Sequence, residues 1–208
     1  MIGYTKVNNE RSETIELIKL MDSTVKGSIW QIKSVGGEST LNTGKQRMFP
    51  DVVIYGDVAR TQILQGWEVK MPDVQITDID FIHDAQRKAD VLGVNSCFIW
   101  NFSCGVLYIK DNQTWGKVRE WNQLSYINSR DDVTTYKSDW EASIKHILSD
   151  LNYLFVSGEL YPAKIGDIIS DTIFSVIISR NKQIVAENIK SASISDTTIY
   201  ACTVGKTK

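Results

Sequence analysis

Three ionisable side chains lie inside apolar segments of the chain. Asp51 is near the start of the run 49–55, and Glu68 and Lys70 lie in the run 62–71. A charge in a buried segment costs several kcal/mol unless it is paired or coordinates a metal. The sequence therefore indicates that these three residues form a site.

The spacing of these residues suggests which chemistry the site could perform. Side chains alternate along a strand, so Glu68 and Lys70 share one face and the apolar residues between and around them take the other. A hairpin through GDVAR would bring Asp51 beside Glu68. Two carboxylates and the backbone carbonyl of Val69 form a hard oxygen site that suits Mg²⁺, for which Mn²⁺ is expected to substitute. Lys70 could orient the attacking water or neutralise charge in the transition state, so the predicted chemistry is phosphodiester hydrolysis.

Periodicity predicts the elements that must position these residues. Apolar residues recur at helical spacing in two segments and alternate or run together in five others. The second helix is expected to start at a capping-box variant, Thr77 and Asp80, and to end at Gly93. The predicted order is a helix over 11–22, strands over 28–35, 49–55 and 62–71, a helix over 79–92, and strands over 95–102 and 105–111. This order indicates a mixed α/β layer.

The composition changes beyond residue 115 and predicts a helical appendage. Ser138 and Glu141 form an S-x-x-E box ahead of a periodic run that reaches Leu154, and a second helical run covers 165–177. The tail from about residue 191 shows no period, as in a disordered segment or the edge of a longer protein. The predicted division is a core over residues 1–114 and an appendage over 115–208.

Composition narrows the class of protein. The chain has 208 residues, 42% of them hydrophobic, and a net charge of -2, so it has no overall basic field for nucleic acid. We expect a cytoplasmic protein without a membrane partner, because no apolar run reaches the roughly eighteen residues of a membrane span and the N-terminus lacks a signal-like stretch. The three cysteines do not have the spacing of zinc ligands.

The motif itself resembles that of a known superfamily. Pro50-Asp51, sixteen intervening residues and Glu68-Val69-Lys70 resemble the PD-(D/E)xK nucleases, which include many type II restriction endonucleases. The order of elements over about residues 10–111 agrees with that resemblance. It implies a restriction-endonuclease-like core and a Mg²⁺-dependent DNA endonuclease, in which Asp51 and Glu68 bind metal and Lys70 positions the attacking water.

Longer phrases resemble a narrower group within that superfamily. GGESTLNTGKQRMFPDVVIYGD, LQGWEVKMPD and KADVLGVNSCFIWN are similar to the N-terminal nuclease regions of restriction-modification enzymes fused to an adenine methyltransferase. The chain has neither the glycine-rich cofactor-binding turn nor the NPPY-type motif of such a methyltransferase. The implied partners are DNA, a methyltransferase or specificity subunit, and a second copy of the chain on DNA.

The resemblance also implies an additional acidic ligand from the first helix. Glu13 is the preferred candidate, since it lies one turn before Leu17 and would border the buried face. Glu16 and the loop residue Glu38 remain open alternatives.

Candidate DNA contacts come from two segments. A glycine-containing loop beside the metal site could reach phosphates through Lys45 and Arg47. By resemblance, the helix after the motif offers Gln86 and Lys88. Two other functions remain open: a DNA-binding or assembly module of the same fold that does not cut, and a repair or junction-resolving nuclease, against which the acidic pI of 5.7 counts.

Overall fold

The computed structural model describes residues 9–37 and 50–162, which fall within one compact unit. Its elements follow the predicted order as far as the fifth strand. They are α1 (Glu10–Val25), β1 (Ser34–Gly37), β2 (Val52–Tyr55), β3 (Ile63–Val69), α2 (Ile79–Leu92), β4 (Ser96–Trp100), β5 (Gly105–Asp111), β6 (Thr114–Trp121), α3 (Arg130–Thr135) and α4 (Lys137–Ser157).

The strands form one six-stranded mixed sheet in the order β1-β2-β3-β4-β5-β6. Neighbouring strands are antiparallel except β3 and β4, which are parallel because α2 crosses over between them. The predicted mixed α/β layer is therefore confirmed, with helices flanking the sheet.

Two apolar cores cover the two faces of the sheet. On one face, α1, α3 and α4 pack against side chains such as Val52, Trp67 and Trp100. On the other face, α2 packs through Ala85, Ala89 and Leu92 against β4 and β5. The central strands β2 and β4 are buried along their whole length, which explains why VVIY and SCFIW are continuous apolar runs.

The strand predicted over 28–35 is shorter and starts later than expected. Only Ser34 and Val35 of that segment join β1, and Gly36 and Gly37, which follow the segment, continue the strand opposite β2. The amide of Gln31 donates instead to Asn152 Oδ1 on α4 at 2.8 Å. The amide of Lys33, next to β1, donates to the Tyr55 carbonyl at 2.9 Å, so the end of this segment still bonds β2.

Two predicted helix caps are wrong. Asp78, and not Thr77, caps α2 by accepting from the Asp80 amide. Ser138 does not cap α4, which begins after Tyr136 without a side-chain cap. The capping box lies nine residues earlier, where Ser129 and Asp132 bond each other's backbone amides at the start of α3.

The described residues show no break at the predicted boundary between residues 114 and 115. β6 continues the sheet across it, and α4 buries its predicted apolar face, from Trp140 to Leu154, in the core that α1 also covers. The helical run predicted over 165–177 and the tail lie outside the described residues. In the part of the chain that the structure describes, no helix is long and apolar enough to cross a membrane.

Candidate active site

The hairpin of β2 and β3 brings Asp51 beside Glu68, as the spacing predicted. Val52 pairs with Trp67, so Asp51 and Glu68 follow directly as the next opposed pair. Asp51 Oδ2 accepts a hydrogen bond from the Val69 amide at 2.8 Å. The Asp51 carboxylate thus completes the edge of β3 where the backbone ladder of β2 ends.

Strand geometry then indicates where the Val69 carbonyl points. The amide and carbonyl of one strand residue face the same side, and those of the next residue face the opposite side. The Val69 amide faces Asp51, whereas the Lys70 amide donates to the Trp100 carbonyl on the β4 side at 2.8 Å. The Val69 carbonyl therefore faces the side of β3 on which Asp51 lies.

Glu68 is buried and only half satisfied. It is 3% exposed, and its Oε2 lies 2.8 Å from Lys88 Nζ on α2. Its Oε1 is buried and has no hydrogen-bond partner among residues 9–37 and 50–162. A buried polar atom left unsatisfied is costly and calls for an explanation, of which a missing ion is one.

The surroundings of Glu68 make its charge unfavourable. Burial, followed by the neighbouring Asp51 carboxylate, raises the pKa of Glu68 from the ordinary 4.5 to about 7, against the opposing charges of Lys88 and Lys70. Burial alone would lower the pKa of Lys88, but the Glu68 and Asp84 carboxylates outweigh it and hold that pKa above its ordinary value. A perturbed carboxyl group beside a second one is typical of functional sites.

Lys70 is fixed between the two helices that flank the end of β3. Its Nζ lies 3.2 Å from Glu10 Oε1 on α1 and 4.6 Å from the centre of the Phe81 ring on α2. Its side chain is 18% exposed. Lys70 thus lies at the rim of the site, where its ammonium group can contact a ligand from solvent.

The helix α1 presents a different glutamate from the one predicted. Glu13 is buried beside α3, in a cavity of about 410 Å³ that Glu16 and Lys137 also line, and does not lie with Asp51. Glu10 instead contacts Lys70 and borders a groove with Asp51. The helix predicted from the sequence starts at residue 11 and so leaves Glu10 out. Asn9, a residue type that commonly caps helices, indicates the earlier start. Glu38 lies outside the described residues.

The two candidate DNA contacts on α2 differ in placement. Lys88 turns inward, bonds Glu68 and Asp84, and is 14% exposed, so it is placed to serve the site and not to meet a phosphate. Gln86 is half-buried on the same helix. Its spacing of one turn from Asp84 and its place beside the sheet-facing Ala89 indicate an inward position for Lys88 on α2, but they do not indicate the contact with Glu68. Lys45 and Arg47 lie outside the described residues.

A groove of about 620 Å³ leads along α1 and β1 to Asp51. Three basic side chains line it, from Arg11 and Lys19 on α1 and Arg60 in the β2–β3 connection. Arg60 is held by the Val35 carbonyl at 2.9 Å. Two of these basic side chains are paired with carboxylates, Lys19 with Glu16 at 2.9 Å and Arg60 with Asp22 at 3.7 Å, so the groove holds basic groups of both paired and open kinds beside an acidic end.

The donor atoms of the site fit a hard cation. Within residues 9–37 and 50–162, no group of three or more His, Cys, Asp or Glu side chains is placed to hold a metal ion. What the site offers is the unpartnered Glu68 Oε1, the carboxylate of Asp51 and the Val69 carbonyl, all oxygen donors. Mg²⁺ is usually bound through one or two carboxylates and keeps several waters, so this set suits it.

Comparisons of the chain with models of protein families, with curated proteins and with solved structures find no match. The chemistry of the site has to be inferred from its own residues.

Proposed function

We propose that the chain is a Mg²⁺-dependent DNA endonuclease of the restriction type. One observation carries the proposal: Asp51, Glu68 and Lys70 meet at the adjoining ends of β2 and β3, and one oxygen of the buried Glu68 has no partner in the part of the chain that the structure describes. The adjacent carboxylates of Asp51 and Glu68 are difficult to explain by packing alone, because burying charges is costly.

The order of the elements supports a restriction-endonuclease-like core. A helix precedes an antiparallel meander of three strands, and a crossover helix leads to a fourth strand parallel to the third. The proposed catalytic residues lie on the second and third strands of the meander. That is the arrangement expected of the PD-(D/E)xK nucleases.

Each residue has a role that its contacts allow. Glu68 Oε1, the Asp51 carboxylate and the Val69 carbonyl would hold the cation, which when bound lowers the pKa of a water and offsets phosphate charge. Lys70, at the rim, donates a hydrogen bond that orients the attacking water toward the phosphorus. Glu10 keeps the Lys70 ammonium at 3.2 Å and so limits its positions.

The groove beside Asp51 gives a DNA strand a path to these residues. Arg11, Lys19 and Arg60 line it and can neutralise phosphates without reading the bases. Because the net charge of the whole chain is -2, contact with DNA depends on such local basic surfaces.

A cleavage assay tests the proposal. Purified protein is incubated with supercoiled plasmid and with mixed-sequence genomic DNA, in Mg²⁺, Mn²⁺ or EDTA. We expect cleavage only with metal, and we expect Asp51→Asn, Glu68→Gln and Lys70→Ala each to lower its rate by about 100-fold or more.

Matched controls distinguish the loss of a catalytic group from the loss of a charge elsewhere on the protein. Asp73→Asn makes the same change as Asp51→Asn at an exposed residue that bonds Arg130, and Lys117→Ala removes a lysine from β6. Both should cut at the wild-type rate. Full cleavage by Lys70→Ala, or no cleavage by the wild type in either metal, would overturn the assignment.

A second candidate is a DNA-binding or assembly module of the same fold that does not cut. The observation that favours it is the Glu68–Lys88 ion pair, which supplies Glu68 with a counter-charge from within the protein. Such a module would bind DNA equally well in EDTA and in Mg²⁺, and Asp51→Asn would leave that affinity unchanged. Gel-shift titrations under the two conditions distinguish it from the nuclease.

A further inference from the structure

We propose that Lys88 is a positioning residue that sets which divalent cation the site accepts, by holding one oxygen of Glu68 and leaving the other for the metal; this inference rests on the proposed metal site.

The contacts of Lys88 fix both the lysine and the glutamate. Lys88 Nζ lies 2.8 Å from Glu68 Oε2 and 2.9 Å from Asp84 Oδ2, one helical turn earlier on α2. The Lys88 side chain is 14% exposed and that of Glu68 is 4% exposed. An ion pair held from two sides in a buried place is screened little by solvent, so Glu68 has one preferred orientation.

That orientation leaves Glu68 with a single oxygen to offer. Oε2 is occupied by Lys88, whereas Oε1 is buried and none of the described residues donates a hydrogen bond to it. Ca²⁺ takes six to eight oxygens and often binds carboxylates through both oxygens, whereas Mg²⁺ requires near-octahedral geometry with few protein ligands. A glutamate restricted to one oxygen therefore favours Mg²⁺ over Ca²⁺.

Replacing Lys88 with methionine tests this restriction. The methionine side chain matches that of lysine as far as Cε, so it keeps the apolar stem and removes the ammonium group. We expect the Mg²⁺ affinity of Lys88→Met to fall about tenfold, as it does when residues that orient metal ligands are lost. Ca²⁺ affinity should be kept or raised, because Glu68 can then present both oxygens.

The ratio of the two affinities separates this role from simpler ones. Loss of one positive charge would raise the affinity for both ions together. A loosened fold would lower both together. Only release of Glu68 Oε2 changes the preference between the ions.

The measurement is a calorimetric titration of the full chain with MgCl₂ and with CaCl₂, without DNA. Lys88→Arg, which can keep the bond to Glu68, should retain the wild-type ratio. Arg87→Met is the matched control. Arg87 directly precedes Lys88 on α2 and pairs with Asp84 and not with Glu68. It should also retain the ratio.

Equal Ca²⁺ to Mg²⁺ ratios in the wild type and Lys88→Met overturn the inference. If Lys88→Met does not fold, Asp84→Asn takes its place, because it removes the charge that anchors Lys88. We expect Asp84→Asn to move the ratio of Ca²⁺ to Mg²⁺ affinity in the same direction. An unchanged ratio in that variant also overturns the inference. If the wild type binds neither ion, the metal site and the inference fail together. A wild type that shows the selectivity but cuts no DNA refutes the nuclease and leaves the inference standing.

Discussion

The carboxyl group of Glu68 lies where its own ionisation is unfavourable. Burial and Asp51 act against the anion, and Lys88 compensates for them in part. Proteins commonly accept such a cost at a functional site, where binding of a ligand relieves it.

The pH dependence of stability should reveal this cost. Because the pKa of Glu68 is raised from 4.5 to about 7, neutral Glu68 stabilises the fold fully below pH 4.5, and this contribution is lost as pH rises through 7. The rise corresponds to about 3 kcal/mol at most. Glu68→Gln cannot ionise, so we expect it to be more stable than the wild type at pH 8 and close to it at pH 4.5.

Urea denaturation in EDTA at the two pH values measures this difference. Glu141→Gln, on the half-buried surface of α4, is the control and should follow the wild type at both. A Glu68→Gln protein that is less stable than the wild type at pH 8 would contradict the raised pKa.

At the scale of elements, substitution of two serines tests which of them caps a helix, Ser129 before α3 or Ser138 in α4. Ser129 Oγ accepts from the Asp132 amide at 3.3 Å, whereas exposed Ser138 bonds only the neighbouring Asp139 carboxylate. We expect Ser129→Ala to lower the free energy of unfolding by about 1 kcal/mol and Ser138→Ala to change it by less than about 0.5 kcal/mol. Thermal and urea unfolding of both variants measure this. The reverse order of effects would place the cap at Ser138.

How far the sequence predicts each element depends on how local its signal is. The β2–β3 hairpin and α2 were predictable because the period of each segment, the turn residues of the hairpin and the C-cap Gly93 of α2 are local features. β6 was missed because it is an edge strand, exposed along most of its length, and so has no apolar alternation.

The same reasoning applies to the site. Asp51, Glu68 and Lys70 could be predicted together because a hairpin register relates them. Glu10 reaches Lys70 across 60 residues of sequence and Lys88 meets Glu68 from another element, so neither contact follows from a local pattern. Packing of helices on the sheet decides such contacts.

At the scale of the whole molecule, residues 115–162 pack into the same sheet and core as the elements around the candidate site. Trp140 is fully buried and packs edge-on against Phe102, with ring centres 5.3 Å apart. Trp121 on β6 donates to Asp150 on α4 at 3.0 Å. The face of the sheet that α4 covers is the face on which α1 packs, and α1 carries Glu10.

Truncation distinguishes a fold that requires β6 and α4 from a core over residues 1–114 that folds independently. A chain ending at Gln113 loses β6 and α4 and exposes the apolar face that they cover, so we expect it to aggregate or to lack a cooperative unfolding transition. A chain ending at Lys164 keeps every described element and should keep the near-ultraviolet circular dichroism of its buried tryptophans. Cooperative unfolding of the shorter chain would instead establish that the core folds without α4. Since α4 packs against α1, the shorter chain should also lose any cleavage activity that the longer one shows.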